Sequence, residues 1–453
     1  MCNNEINVLD KIPSTIVQAL IDDNDCVIHN IHSDSKILVE CVEDITEAKM
    51  LTLSCYSFEE SRYIDFEFEV LCVAKKIVQK YSNIYTLIVT GNFKECYSLI
   101  YHMNKLFDNK SRNDIGSIKG FMKEKQFFCN YPYEEDKEFF GDYTEQRLWW
   151  FRDIKTDDEY KTIMRDVEMA YFFVNFSDYN EIIENGCRNT IQNNLAFDGI
   201  THRGIFTKEF ERVYIGSEFC HNMIPDKLQL KKILNICILE SYKITVAFPY
   251  LLENEISNTD ELLYVINEIA ESNGMKIEIL INDWGMIELV NKYRNLSLVL
   301  GRLLNKRKKD PRIEYIWNYK NNSDLLKKNY LNNEEFLEGL KNMGITRFEF
   351  EDHLTDNELI DSKCSLHFPY YQINTSMFCT MYAECKKYNK FKQSLISNCP
   401  KYCDNYVYLY PKHLNIIGRG NSILGFNNKI FTNKKHLKKY IDMGIDRLVY
   451  SGY

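Results

Sequence analysis

Alternation is the first signal along the chain. Ser35-Lys-Ile-Leu-Val-Glu-Cys-Val42 alternates as a half-buried strand does, and Tyr85-Thr-Leu-Ile-Val-Thr90 reads as a buried strand that ends at Gly91-Asn92. Between them, Phe66 to Tyr81 carries apolar residues at helical spacing, and Phe93 to Phe107 does the same. This predicts an α/β or α+β module over residues 1–120. No phosphate loop and no dinucleotide fingerprint interrupts it.

Residues 121–205 lose this periodicity and gain aromatics and acids: Phe127-Phe128, Glu134-Glu135-Asp136, Leu148-Trp149-Trp150-Phe151 and Tyr171-Phe172-Phe173. They are expected to form an aromatic-rich extension or second module. Core and interdomain packing is the favoured role, and a docking surface is the alternative.

From about residue 211 the text becomes a strand–helix alternation. Strand candidates are Val213–Gly216, Lys243–Pro249, Lys276–Asn282, Ser297–Leu300, Arg347–Phe350, Ser365–Phe368, Leu414–Ile417 and Arg447–Tyr450. Helical stretches at Asp226–Glu240, Thr259–Ser272, Met286–Tyr293, Asn333–Met343 and His436–Met443 fall between them. Eight candidates at a period of roughly 30 residues, with polar residues just past the strands, predict a TIM-like (β/α)8 barrel over 206–453. An open doubly wound sheet is the alternative.

Composition narrows the function classes. A chain of 453 residues calls for two or three domains. No run of about 18 apolar residues exists to span a membrane, and the N-terminus has no signal-peptide character. The expectation is a cytoplasmic protein. The net charge of −9 disfavours nucleic-acid phosphate as a partner. The one basic run, Asn305-Lys-Arg-Lys-Lys309, reads first as a solvated loop and second as a phosphate contact. The 15 cysteines are mostly scattered in apolar runs, as small buried hydrophobes are in a reducing compartment.

One local group of cysteines stands apart. Cys379, Cys385, Cys399 and Cys403 follow the pattern C-x5-C-x13-C-x3-C in loop-like text. This is neither the paired C-x2-C of a zinc ribbon nor the tight triplet of a radical S-adenosylmethionine enzyme. Wide spacing on loops suits a [4Fe–4S] cluster; a structural zinc and no metal at all stay open. The residues past the other strands are Glu218, Cys220, His221, Asp283, Arg302, Glu349, Asp352, His367, Arg419 and Asn421, so a barrel would gather acids, arginines and thiols at one end.

Five strings then resemble the collagenase-like peptidase U-32 superfamily, in its UbiV-like branch. They are Val213-Tyr-Ile-Gly-Ser-Glu-Phe-Cys220, Ile281-Asn-Asp-Trp-Gly285, Leu298-Val-Leu-Gly-Arg-Leu-Leu304 with Asp310-Pro-Arg312, Cys379 to Cys403, and Ile416-Ile-Gly-Arg419. The resemblance covers residues 211–453. It implies a TIM-like barrel with a [4Fe–4S] cluster and oxygen-independent hydroxylation, with a second barrel subunit as partner. In the UbiV-like pattern the ligands would be Cys220, Cys379, Cys399 and Cys403; in the wider superfamily Cys385 would replace Cys220. For such an enzyme Arg302, Arg312 or Arg419 could hold an anionic donor or substrate. Asp283, Glu349 or Asp352 could handle protons. The substrate would be a small molecule or a peptide. The alternatives are a hydrolase, as the peptidase label suggests, and a noncatalytic iron–sulfur or zinc scaffold.

Overall fold

The barrel strands are decided by what their alternate residues face. In the computed structural model, which describes residues 6–12, 17–41, 43–57, 62–78, 83–101, 138–307, 309, 311, 326–387 and 393–453, eight parallel strands close on themselves. In chain order they are Glu168–Phe172, Arg212–Gly216, Lys243–Ala247, Ile277–Ile281, Leu296–Leu300, Ile345–Glu351, Cys364–Phe368 and Ile445–Ser451. Helices such as Lys227–Leu239, Ile256–Ser272 and Glu334–Asn342 connect them. The predicted TIM-like barrel is therefore present, preceded by a separate N-terminal region.

Two of the expected boundaries move. The first barrel strand is Glu168–Phe172, inside the stretch read as a separate aromatic-rich module. It pairs in parallel with both Ile445–Ser451 and Arg212–Gly216 and closes the sheet. Four of its five residues are buried, so its aromatics do not alternate with polar residues and give no strand signal. Conversely, the candidate at Leu414–Ile417 becomes Ile416–Arg419 of an antiparallel sheet. That sheet runs in the order Asn7–Lys11, Tyr406–Leu409, Ile416–Arg419, Ser422–Phe426, Tyr370–Thr375. Most of it is inserted between the seventh and eighth barrel strands.

The lumen holds two kinds of layer. Ala170, Phe172, Tyr214, Ala247, Leu280, Val299 and Val449 pack as an apolar group. Two residues earlier on the same strands lie Glu168, Arg212, Thr245, Glu278 and Arg447. Arg447 spans Glu168 and Glu278, donating to Glu278 at 2.7 and 3.0 Å, while Arg212 pairs with the same two carboxylates at 3.2 and 3.3 Å. Arg347 binds Asp446 at 2.6 Å beside them.

The chain divides into two units. Residues 1–10, 140–409 and 414–453 form the first; residues 11–139 with 410–413 form the second. The second unit is a closed antiparallel barrel in the order Val17–Ile21, Asn24–Ile31, Lys36–Cys41, Asn83–Gly91, Arg62–Val78, Met50–Ser57. The strands expected at 35–42 and 85–90 are two of its six. The helix expected over Phe66–Tyr81 is instead the long strand Arg62–Val78, with Phe66, Phe68 and Val70 buried between exposed acids. Register shifts at Val70/Cys72 and Val73/Lys75 move the apolar positions from even to odd, which imitates a helical repeat. The other expected helix is present at residues 93–101, and its remaining part to Phe107 lies outside the described residues, as do Phe127-Phe128 and Glu134-Glu135-Asp136. No helix among the described residues is long and apolar enough to cross a membrane.

The lumen charges set a pH dependence. Burial pushes the Glu168 and Glu278 carboxyls up, but Arg447 and Arg212 outweigh it and hold both at about 2. Carboxyls depressed in the folded state stabilise it above their unfolded range and lose that effect as the pH falls. Urea-unfolding midpoints are expected to drop between about pH 4.5 and pH 2. Arg447→Met leaves two buried carboxylates short of a partner; it should cost about 3–5 kcal/mol at pH 7 and flatten that acid slope.

Candidate functional site

Cysteines from three distant segments meet at the end of the barrel where its strands finish. The first comes from the turn after the second barrel strand. Gly216 has φ +100°, and a Cβ there would stand 2.3 Å from the Ala247 carbonyl oxygen, so only glycine fits. Tyr179 braces the turn: its hydroxyl lies 3.0 Å from both the nitrogen and the carbonyl oxygen of Gly216. Ser217 Oγ then accepts from the Phe219 and Cys220 amides at 3.3 and 3.2 Å, which fixes Cys220.

Cys379 opens the helix Thr380–Lys387, and its sulfur accepts the Tyr382 amide at 3.3 Å. Cys399 and Cys403 flank a turn in which Lys401 takes φ +61°. Asp404 holds this turn down by accepting the Phe176 and Ser177 amides at 3.1 and 3.0 Å. Arg419 Nε donates to the Cys403 carbonyl at 2.7 Å. Asn421 ties two segments together, since its amide donates to Phe219 O at 2.7 Å and Ser376 O at 2.6 Å.

Cys220, Cys379, Cys399 and Cys403 line one cavity, with Glu218, Met223, Arg419, Asn421 and Tyr453. Cys385 is not among its walls. It lies six residues along from Cys379, and six residues turn a helix through about 600°, which points the two thiols to different sides. Burial pushes the Cys220 thiol up to about 11 and the Cys379 thiol up to about 12, and raises Cys403 well above its ordinary value. Among the described residues, no three Cys, His, Asp or Glu side chains converge closely enough to grip one metal ion.

The other expected site residues divide. Arg419 lines the thiol cavity, and its buried Nη1 has no hydrogen-bond partner. Arg302 is buried one step behind that cavity and committed to carboxylates. Its Nε donates to Glu218 at 2.6 Å and its Nη1 to Glu351 at 3.3 Å. Glu349 points into the lumen, where it meets His367 Nε2 at 2.7 Å and the Tyr214 hydroxyl at 3.1 Å. Burial raises its pKa, as it does that of Asp352, which pairs with His436 at 2.8 Å. Asp283 accepts backbone amides of Leu251 and Gly285 at 3.1 and 2.8 Å, the turn-capping alternative for this residue type. None of these three acids lines the thiol cavity. Their position after a strand suggested otherwise, but inward alternation sends Glu349 down the lumen and local amides capture Asp283. Arg312 lies outside the described residues.

Glu218 and Asn421 appear among the residues past strands but carried no assigned role. Tyr453 was missed altogether. Burial pushes its phenol up to about 12 beside Arg302 and Glu218. No sequence pattern marks it, because it reaches the cavity only through barrel closure.

The fold and site define a (β/α)8 barrel with four half-buried thiols lining a cavity at its mouth. A solved structure entitled "The Structure of the U32 Peptidase Mk0906" is similar to the chain at 6% identity and a TM-score of 0.30; the match covers 63% of this chain and 93% of that one. At that depth the similarity carries no argument. No family model matches the chain, and no curated protein matches it.

The Gly216 turn yields a prediction. Gly216→Ala forces a side chain into left-handed backbone and against the Ala247 carbonyl. It should lower stability by about 2 kcal/mol or more, read as a fall in the thermal midpoint.

Proposed function

We propose that this chain carries a [4Fe–4S] cluster on Cys220, Cys379, Cys399 and Cys403, and uses it for redox chemistry on a small substrate, with oxygen-independent hydroxylation as the reaction class. The observation that carries this reading is the enclosure of four thiols, from segments as far apart as residues 220 and 403, in one cavity that leaves Cys385 out.

The donor set supports the reading. A single tetrahedral zinc needs four sulfurs about 2.3 Å from the ion, hence within about 4 Å of each other. Iron–sulfur clusters take four thiolates around a multi-iron core, so their ligands stand farther apart.

When bound, the cluster would supply single electrons. The chain's own groups would do the rest. Arg419 presents an unpartnered, buried Nη1 at the cavity and would orient an anionic or carbonyl oxygen. Tyr453, kept protonated by burial and already accepting from Arg302, would have its hydroxyl proton free to donate. Asn421 and Asp404 would hold the loops in register. Asp283, Glu349 and Asp352 have no place in this mechanism. The substrate remains a small molecule or peptide in this proposal, and a second barrel subunit remains the proposed partner.

Anaerobic purification followed by visible absorption and iron, zinc and sulfide assays tests the reading. The expected result is a brown protein with about four irons and four sulfides per chain. Cys220→Ala and Cys399→Ala should lose the colour, and Cys385→Ala should keep it. A colourless protein without metal would sink the proposal. One zinc per chain would leave only a structural site.

A further inference from the structure

A second cavity opens on the other side of the wall behind the thiols. Its volume is about 330 Å³, and its lining includes Arg302, Lys306, Arg307, Lys309, Asn374 and Ser376. The wall is shared. Arg302 reaches through it to Glu218 of the thiol cavity, Asn421 reaches Ser376, and the Thr375 and Ser422 hydroxyls lie 3.0 Å apart.

Among the described residues, the cations lining this second cavity outnumber the carboxylates that pair with them. Four cations line it. Two carboxylates answer them: Glu218 with Arg302, and Glu351 with both Arg302 and Lys309. Among the described residues this leaves Lys306 and Arg307 without an ion-pair partner. Arg307 spends its two terminal nitrogens on neutral groups. Nη2 donates to the Leu326 carbonyl at 2.9 Å, the Thr355 hydroxyl at 2.6 Å and the Asp356 carbonyl at 3.1 Å; Nη1 donates to Asn357. Its Nε is buried and has no partner. The nearby Asp356 carboxylate is taken by Lys439 at 2.7 Å. Neither Arg307 nor Lys306 forms an ion pair among the described residues. A largely buried guanidinium without an ion-paired carboxylate is costly, because the charge gives up water while the acids that act on it, Glu351, Asp356 and Asp352, are paired with Lys309, Lys439 and His436. Here the guanidinium is fixed, its free N–H is desolvated, and a mobile lysine stands next to it.

We propose that this cavity binds a small dianion, either a phosphate group or a pair of carboxylates, with Arg307 Nε and the Lys306 ammonium as its charged contacts. Asn374 and Ser376 add neutral polar groups to the lining. Arg302 and Lys309 form the floor, held by Glu218 and Glu351. The site is distinct from the thiol cavity and does not depend on the metal it carries, so the inference stands or falls separately from the iron–sulfur reading.

Titration calorimetry on the full chain tests it, with inorganic phosphate, succinate and the monoanion acetate as probes. At least one dianion should bind more tightly than acetate. Lys306→Ala should weaken that binding about tenfold or more, as loss of a charge-assisted contact does. Arg307→Gln should weaken it further. Because Arg307 also holds the Thr355 loop, Lys306→Ala, at an exposed position, decides the matter if Arg307→Gln does not fold. Binding of phosphate alone assigns a phosphoryl ligand, and binding of succinate alone assigns a dicarboxylate. No binding of either dianion, or affinity unchanged in Lys306→Ala, overturns the proposal.

Discussion

Closure of the parallel sheet is the constraint on which the site depends. Glu168–Phe172 pairs on one side with Ile445–Ser451 and on the other with Arg212–Gly216. Without that strand the turn after Gly216 and the segments after the seventh strand would lie at opposite edges of an open sheet. With it, Cys220 comes beside Cys379, Cys399 and Cys403, which are more than 150 residues later in the chain. The Asn421 amide then fastens the two sides through Phe219 and Ser376. Three loops thus act as one wall because a distant strand closes a ring.

Closure also explains the charge inside the barrel. Parallel strands are covered on their outer faces by helices, so charged residues on them can only point into the lumen or to the strand ends. Arg447 occupies the lumen with 2% exposure of its side chain and survives there because Glu168 and Glu278 both meet it. Such a network contributes little net stability compared with an apolar core, but it is intolerant of losing one member. It also fixes register, since a one-residue slip would turn these charges out toward the helices.

These facts decide what the sequence could reveal. The barrel was readable because most of its strands are short apolar runs bounded by polar residues. The first strand was not, because Met169 to Phe172 is buried throughout and shows no period. The long strand Arg62–Val78 was misread because bulges gave it a helical spacing. Among the site residues, the cysteines were legible by type and by their local grouping. Which of the five would act together is not marked in the text; only the fold brings four of them to one cavity and leaves Cys385 outside it. The acids were legible only as residues past strands, a position shared by catalytic groups, lumen charges and turn caps alike. Asp283 and Glu349 have those last two roles, and nothing in the local text distinguishes them. Tyr453 had no signal, since only its tertiary position matters.

The order of charges across the shared wall carries the argument one step further. From the thiol cavity outward the sequence is Glu218, Arg302, Glu351, Lys309, each within ion-pair distance of the next. Alternation of sign keeps every one of these buried charges compensated. It also means that Arg302 is spent internally and offers no free charge to a ligand, although its place after a strand made it the natural candidate for an anion contact. The uncompensated charge is displaced to the far end of the row, onto Lys306 and Arg307. The proposed anion site therefore lies not among the thiols, which burial keeps protonated at Cys220, Cys379 and Cys403, but one wall away from them. The arrangement separates the thiol cavity from a cation-lined one, and the Glu218–Arg302 pair is the direct link between the two.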